Sequence, residues 1–244
     1  MLRTEDIAKG FGAKKVLRGI SMEAPEREVF CILGRSGCGK TTLLKCLAGL
    51  EHPDAGRVML DETDITGAPP QQRDILYLYQ EPLLFPHLSV FENIAFGLRI
   101  RKRPEAEIRE RADKLLEELE LSGEGEKAPH QLSGGQRQRV AFGRAIIVQP
   151  KVLLLDEPFS NLDAQTRANM QVLFRKLASR HRITSIFVTH DIREALTVGD
   201  RFGFMDGGTL ENFPEREAFI KDRRSGAREE FDFWNNLFDH GKQD

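Results

Sequence analysis

The run Gly34-Arg-Ser-Gly-Cys-Gly-Lys-Thr-Thr42 sets glycines in front of a lysine and two threonines. A nucleoside triphosphate carries several closely spaced negative charges, and backbone N–H groups at the start of a helix solvate such charges when no bulky side chain intervenes. Gly34, Gly37 and Gly39 permit that approach. Lys40 is placed to bridge terminal phosphate oxygens, the Thr41 hydroxyl to coordinate Mg²⁺, and Thr42 lies beside it. Far downstream, Val152-Leu-Leu-Leu-Asp156-Glu157-Pro158 brings two carboxylates to the end of an apolar run. Ligands of open α/β sheets bind beyond the C-terminal ends of strands, and unpaired acids buried there are costly without a cation. Asp156 therefore reads as the Mg²⁺ partner, directly or through water, and Glu157 as the general base that polarises an attacking water.

These groups need a sheet to hold them. Residues 1–30 carry short, partly alternating segments around Val16 to Ile20, with turn signals at Gly10, Gly12 and Pro25, and read as strands. Glu28 to Leu33 is a short apolar run into the glycine loop, and the helix from Lys40 runs through Leu43, Leu44 and Leu47 to a stop at Gly49. From Leu88 to about Val148 the pattern is helical; Ile108, Ala112, Leu115, Leu116 and Leu119 recur at spacings of three and four, which predicts a helical lobe inserted into the sheet domain. Val152–Leu155 and Ile183–Thr189 are further strands, separated by a helix over Ala164 to Arg180. Strands alternating with helices predict a parallel sheet covered on both faces. After Gly207-Gly208 the pattern weakens, and from Lys221 onward charges mix with Phe231, Phe233, Trp234 and Phe238, aromatics expected to pack on the domain itself or on a partner.

Composition bounds the function. A chain of 244 residues, 40% hydrophobic, buries one substantial core with at most an appended lobe. The 36 basic and 38 acidic side chains nearly cancel, so no net field favours nucleic acid or an anionic bilayer, and Arg99, Arg101, Lys102 and Arg103 read as a solvated surface. Cys31, Cys38 and Cys46 have no paired metal-ligand spacing and fit a reducing compartment. The N-terminus has no apolar signal region, and no stretch approaches the roughly 18 apolar residues of a spanning helix. Work at a membrane would pass through a partner.

Leu132-Ser133-Gly134-Gly135-Gln136, followed by Arg137-Gln-Arg139, is a second set of glycine-rich donors at a helix start and again suits an anion. One chain cannot easily bring both sites to one nucleotide. The glycine loop, this run and the acidic-ended strand, in this order, resemble the motifs of the ATP-binding cassette ATPases along nearly the whole chain. The resemblance implies a P-loop NTPase fold with a RecA-like parallel sheet, an N-terminal antiparallel β subdomain and the inserted helical subdomain, spanning residues 1–220 with a short extension over 221–244. It implies ATP and Mg²⁺ as ligands, with the whole loop, Arg35, Ser36 and Cys38 included, against the nucleotide. It implies head-to-tail association, so that Ser133, Gly134, Gly135 and Gln136 of one copy close over ATP held by the loop of another. His190 matches the family's switch histidine at the γ-phosphate, and Gln80 the glutamine that reaches Mg²⁺ and the water. Phe11 occupies the place of the aromatic that stacks on adenine, and Ser160-Asn-Leu-Asp163 resembles the loop that communicates across the dimer; Asp163 as a helix cap is compatible with that.

Leu83, Leu84, Phe85 and Leu88 form an apolar cluster beside the glutamine, which reads as an interaction site or as packing between lobes. Very similar text in the family's bacterial importers forms the groove for a cytoplasmic permease helix. The resemblance thus implies an importer's ATPase subunit, peripheral at the cytoplasmic membrane face, with a permease and an extracytoplasmic substrate-binding protein as partners and no nucleic acid. An exporter or lipid-extraction ATPase shares every catalytic motif, and a soluble nucleic-acid-handling cassette is expected to carry insertions or tandem copies that are not found here. Similar importers often continue into a C-terminal regulatory barrel; with about forty residues remaining after 205, a full one is not expected here. Phe142-Gly143 departs from the family's alanine-rich text, and Gly143 costs helix stability by roughly 1 kcal/mol relative to Ala. The cargo is left open among inorganic anions, metals and polyamines.

Overall fold

The computed structural model describes residues 1–213, 215–226 and 228. In chain order it holds β1 (Leu2–Phe11), β2 (Lys14–Ala24), β3 (Val29–Leu33), α1 (Lys40–Ala48), β4 (Ala55–Leu60), β5 (Thr63–Asp64) and β6 (Ile75–Leu78). The helices α2 (Val90–Ile100), α3 (Glu105–Glu118) and α4 (Gly134–Ile146) follow. Then come β7 (Val152–Asp156), α5 (Ala164–His181), β8 (Thr184–Thr189), α6 (Ile192–Val198), β9 (Arg201–Asp206), β10 (Thr209–Phe213) and α7 (Arg216–Lys221). The aromatics Phe231, Phe233, Trp234 and Phe238 lie outside the described residues.

The strands sort into a four-stranded antiparallel sheet, β2-β1-β4-β5, and a six-stranded sheet, β10-β9-β3-β8-β7-β6. In the second, only the β9–β10 pair is antiparallel. Its central strands are apolar without interruption because both faces are covered. Val29, Cys31, Leu33, Leu153, Leu155 and Phe187 face a core shared with the three-helix lobe, while Phe30, Ile32, Val152, Leu154, Ile186 and Val188 face a core shared with α1 and the antiparallel sheet. The register sets the site. Leu33 pairs with Thr189, Asp156 with Val188 and Leu78 with Leu155, so the glycine loop, Glu157, His190 and Gln80 all leave the sheet at one edge.

Ile108, Ala112, Leu115, Leu116 and Leu119 are buried as their spacing predicts. The helical stretch begins at Val90, where Ser89 caps α2 by accepting from the Glu92 N–H at 3.2 Å, and its last helix ends at Ile146. Gly143 now has an account. A Cβ there would lie 2.6 Å from Leu119 Cδ1 and 3.1 Å from Ile94 Cγ1, both in fully buried residues, so glycine is what lets α4 approach α2 and the end of α3 this closely. Phe142 beside it joins an aromatic cluster, with centroids 5.8 Å from Phe159 and 5.7 Å from Phe174, and Phe159 in turn 5.6 Å from Phe187. Phe159 and Phe174 thereby link the lobe to Phe187 on the strand that ends in Thr189.

Arg73, almost wholly buried, steadies the other end of α1. Its guanidinium donates to the carbonyls of Cys46 and Leu47 at 2.8 and 3.0 Å and to those of Ala68 and Thr66 at 2.8 and 2.7 Å, satisfying the acceptors that a helix C-terminus leaves open. Arg99 is clamped by Glu92 and Glu105, and Arg101 donates to the Val148 carbonyl, so this basic group is tied into surface ion pairs and helix ends. All three cysteines are free thiols. No helix among the described residues is long and apolar enough to cross a membrane.

Candidate active site

The loop from Gly34 to Gly39 has room for backbone only where it turns. A Cβ on Gly34 would sit 2.4 Å from the Met205 carbonyl oxygen, and Gly39 enters α1 at φ 115°, a left-handed value that L side chains rarely adopt. Lys40, the first helical residue, is nearly buried. Its ammonium donates to the carbonyls of Gly34 at 2.7 Å and Arg35 at 3.2 Å and lies 3.5 Å from Glu157 Oε1. The loop and helix start bound a cleft of about 570 Å³, where Ser36, Gly37, Gly39, Lys40, Thr41 and Thr42 face Phe11, Gln80, Asp156 and Glu157. Arg35 is exposed and not on the cleft wall; Cys38 is half-buried beneath the loop, its thiol pKa raised by burial.

Asp156 closes the floor. Thr41 Oγ1 donates to its Oδ1 at 3.1 Å, and the Tyr77 hydroxyl donates to its Oδ2 at 2.6 Å. Burial, then the hydrogen bond to Asp156, push the Tyr77 hydroxyl far above the usual phenol range, so it stays a donor. A hydroxyl and a carboxylate in contact are the hard oxygen donors that Mg²⁺ takes. Among the described residues no three His, Cys, Asp or Glu side chains converge on a metal centre, so a divalent ion here would complete its shell with water and phosphate oxygens. Glu157 stands at φ 45°, a left-handed conformation unusual for glutamate, held by its N–H donating to the Val188 carbonyl at 3.1 Å. Its Oε2 accepts from His190 Nδ1 at 2.8 Å; a carboxylate only accepts, so Nδ1 carries the proton.

Gln80 lines the cleft, but its amide donates to Ser160 Oγ at 2.9 Å, and that hydroxyl donates to the Glu157 carbonyl at 2.9 Å. Phe11 projects from the end of β1, half exposed, with Lys9 Nζ 5.3 Å from its ring centroid. Ser133 and Gln136 cap α4 reciprocally: Ser133 Oγ accepts from the Gln136 N–H at 3.2 Å, and Gln136 Oε1 accepts from the Ser133 N–H at 2.9 Å. Gly135 packs at the start of α5, where a Cβ would meet Thr166 Cγ2 at 2.6 Å; Gly134 lies near Leu162. Asp163 caps α5 by accepting from the Thr166 N–H at 3.0 Å, and that bond holds its carboxyl below the usual range. Neither Ser133 to Gln136 nor Asp163 borders the cleft of its own chain.

The apolar cluster divides between the two readings the sequence left open. Leu83 is exposed, whereas Leu84, Phe85 and Leu88 are half-buried; Leu84 packs against the core and the Phe85 ring lies tilted against Phe96, centroids 4.4 Å apart. Buried Asn93 pulls this loop inward, accepting from the Phe85 N–H and donating to the carbonyls of Phe85, Leu88 and Ser89. Leu83, Tyr79, Leu50 and Ile100 are among the exposed large apolar side chains of the described residues, and the last three line a groove of about 510 Å³. The Tyr77–Asp156 and Gln80–Ser160 bonds had no signal in the sequence because each joins chain about eighty residues apart, and the turn made by Asn93, though local, shows only in the fold.

The sequence profile of the ABC transporter family matches residues 17–160, more than half of the chain. The chain belongs to the ABC transporter family. This ABC transporter chain is 46% identical over 211 residues to the spermidine/putrescine import ATP-binding protein PotA of Marinobacter nauticus, covering 86% of this chain and 57% of that protein. It is 48% identical over 214 residues to the sulfate/thiosulfate import ATP-binding protein CysA of Methylococcus capsulatus, covering 86% and 62%. With the Fe(3+) ions import ATP-binding protein FbpC of Vibrio cholerae it shares 42% over 234 residues, covering 96% and 67%. The ABC transporter chain thus spans about three-fifths of the length of the first two relatives. Among solved structures, cbiO1 from Clostridium perfringens, part of the ABC transporter complex cbiONQ, superimposes with a TM-score of 0.83 at 31% identity over 93% of both chains.

Proposed function

We propose that this chain is the ATP-binding and ATP-hydrolysing subunit of a membrane importer. One observation carries the reading: the glycine loop with Lys40, the Thr41–Asp156 pair and Glu157 line a single cleft at one edge of the parallel sheet, with His190 bonded to Glu157 beside it. The likeness to three import ATP-binding proteins supports import.

Lys40, whose charge is spent on two loop carbonyls and Glu157, turns to the terminal phosphate oxygens when ATP enters. His190 releases Glu157 and donates to the γ-phosphate. Glu157, relieved of both partners, accepts a proton from the water that attacks in line. Asp156 and Thr41 would hold Mg²⁺, which would supply positive charge to offset that of the phosphates. Gln80 leaves Ser160 for the metal and water. Phe11 stacks on adenine, and Arg35, Ser36, Gly37, Cys38, Gly39 and Thr42 lend backbone or hydroxyl groups to the phosphates.

The α4 start, capped and turned away from its own cleft, fits the same conclusion: Ser133, Gly134, Gly135 and Gln136, with Asp163, close over the nucleotide of a second copy. Coupling requires that ATP favour the closed pair over the open one. Leu83, Tyr79, Leu50 and Ile100 receive the permease, which anchors the chain at the cytoplasmic membrane face; an extracytoplasmic binding protein delivers the cargo. The test is phosphate release by the purified chain and by Glu157→Gln. Retained ATP binding with turnover abolished supports the assignment; wild-type turnover in the variant removes Glu157 as the base.

A further inference from the structure

Asp54, on the loop entering β4, meets the strand behind Phe11 at three points. Its N–H donates to the Ala8 carbonyl at 2.8 Å; its Oδ2 accepts from the Gly10 N–H at 2.7 Å; its Oδ1 accepts from Lys9 Nζ at 3.2 Å. Lys9 Nζ also donates to the His52 carbonyl at 2.7 Å. These bonds fall where β1 loses its regular pairing. The β1–β4 ladder ends at Ala8 opposite Ala55, and the β1–β2 register shifts between Lys9 and Gly10. A bulged, one-sided strand end is the part of a sheet freest to bend. The Asp54 side chain takes the place of the missing ladder, securing the Gly10 N–H next to Phe11.

The arrangement also has a direction. Phe11, Lys14 and Val16 line the phosphate cleft, whereas Lys9 and Asp54 do not. The ammonium of Lys9 therefore stands behind the ring and leaves the cleft-facing side of Phe11 for a flat partner. We propose that Asp54 is a positioning residue for the adenine platform: by holding the Gly10 N–H and Lys9 it fixes the Phe11 ring before nucleotide arrives, so that base stacking costs little ordering. A platform already held in its bound geometry gains affinity by that saving alone. The inference rests on the stacking role given to Phe11 above.

The experiment titrates the purified chain calorimetrically with MgATP and, separately, with magnesium tripolyphosphate, which carries the phosphates but no base. Phe11→Ala weakens ATP roughly 10-fold, the scale of one lost base–aromatic stack. Asp54→Ala weakens ATP about 3-fold, the cost of ordering a ring that is no longer preset. Neither variant shifts tripolyphosphate binding, and Asp54→Asn, whose amide oxygen still accepts from Gly10, recovers most of the ATP affinity. Equal weakening of ATP and tripolyphosphate by Asp54→Ala overturns the proposal, since Asp54 then acts on the phosphate loop or on the fold. Unchanged ATP binding in Asp54→Ala with the Phe11→Ala shift intact overturns the positioning role alone. Unchanged ATP binding in Phe11→Ala removes the platform, and the proposal with it.

Discussion

Replacing Gly143 by alanine sets two effects of opposite sign against each other. Helix propensity alone favours the change by about 1 kcal/mol, since Gly143 lies inside α4. Packing opposes it. The new Cβ would sit 2.6 Å from Leu119 Cδ1 and within 3.1 and 3.2 Å of two Ile94 carbons, against ordinary carbon contacts of about 3.5–4.0 Å. Leu119 and Ile94 are both fully buried, so neither side chain can yield into solvent. Overpacking of this kind costs about 1–3 kcal/mol. The sum is a net destabilisation of about 1 kcal/mol, which for a chain of this size lowers Tm by about 2–4 °C. Thermal unfolding followed by circular dichroism measures it. The double variant Gly143→Ala, Leu119→Ala should lose less stability than the two single changes added, because the methyl then occupies the space that Leu119 vacates. A Tm rise in Gly143→Ala, or strict additivity in the double variant, would refute the packing argument.

Tyr77→Phe removes the 2.6 Å donor to Asp156; if Asp156 holds Mg²⁺ as proposed, loss of the group that orients it should raise the Mg²⁺ needed for half-maximal ATPase by roughly 10-fold, read from a Mg²⁺ titration. Arg73→Ala removes the donors to the Cys46, Leu47, Thr66 and Ala68 carbonyls, leaving Cys46 only its bond from the Gly49 N–H, and should cost about 2–3 kcal/mol in urea unfolding. Buried Glu194 has its pKa raised above 4.5, chiefly by burial, so ionising it costs more in the folded chain than in the unfolded one. Its contribution to stability is therefore full below the unfolded value and lost as pH rises through the folded one. Glu194→Gln should gain Tm over wild type as pH rises from the unfolded carboxylate pKa through the folded one, and hold that gain above it; a difference that does not change with pH would contradict this.

What the sequence revealed follows from range. Lys40 and Thr41 lie in one short run, and Asp156, Glu157 and His190 each end an apolar strand, so local pattern and the rule that ligands gather at strand C-termini place them together. Tyr77 was invisible because its contact with Asp156 depends on β6 lying beside β7 in a register no local signal encodes. The inward turn of Leu84 and Phe85 depends on Asn93, a polar residue on an otherwise apolar helix face, whose hydrogen bonds to the preceding loop become apparent only in the fold. Gly143 looked like a cost because propensity is counted within one helix, while its benefit lies in the approach of another.

The central claim is that two copies share each nucleotide, and sedimentation velocity of Glu157→Gln measures that directly. With MgATP the variant should sediment as a dimer, and with MgADP as a monomer; adding Ser133→Arg, which places a bulky cation where the second copy must close, should abolish the dimer while ATP binding to the single chain persists. A Glu157→Gln chain that saturates with ATP yet stays monomeric at every concentration would contradict the account.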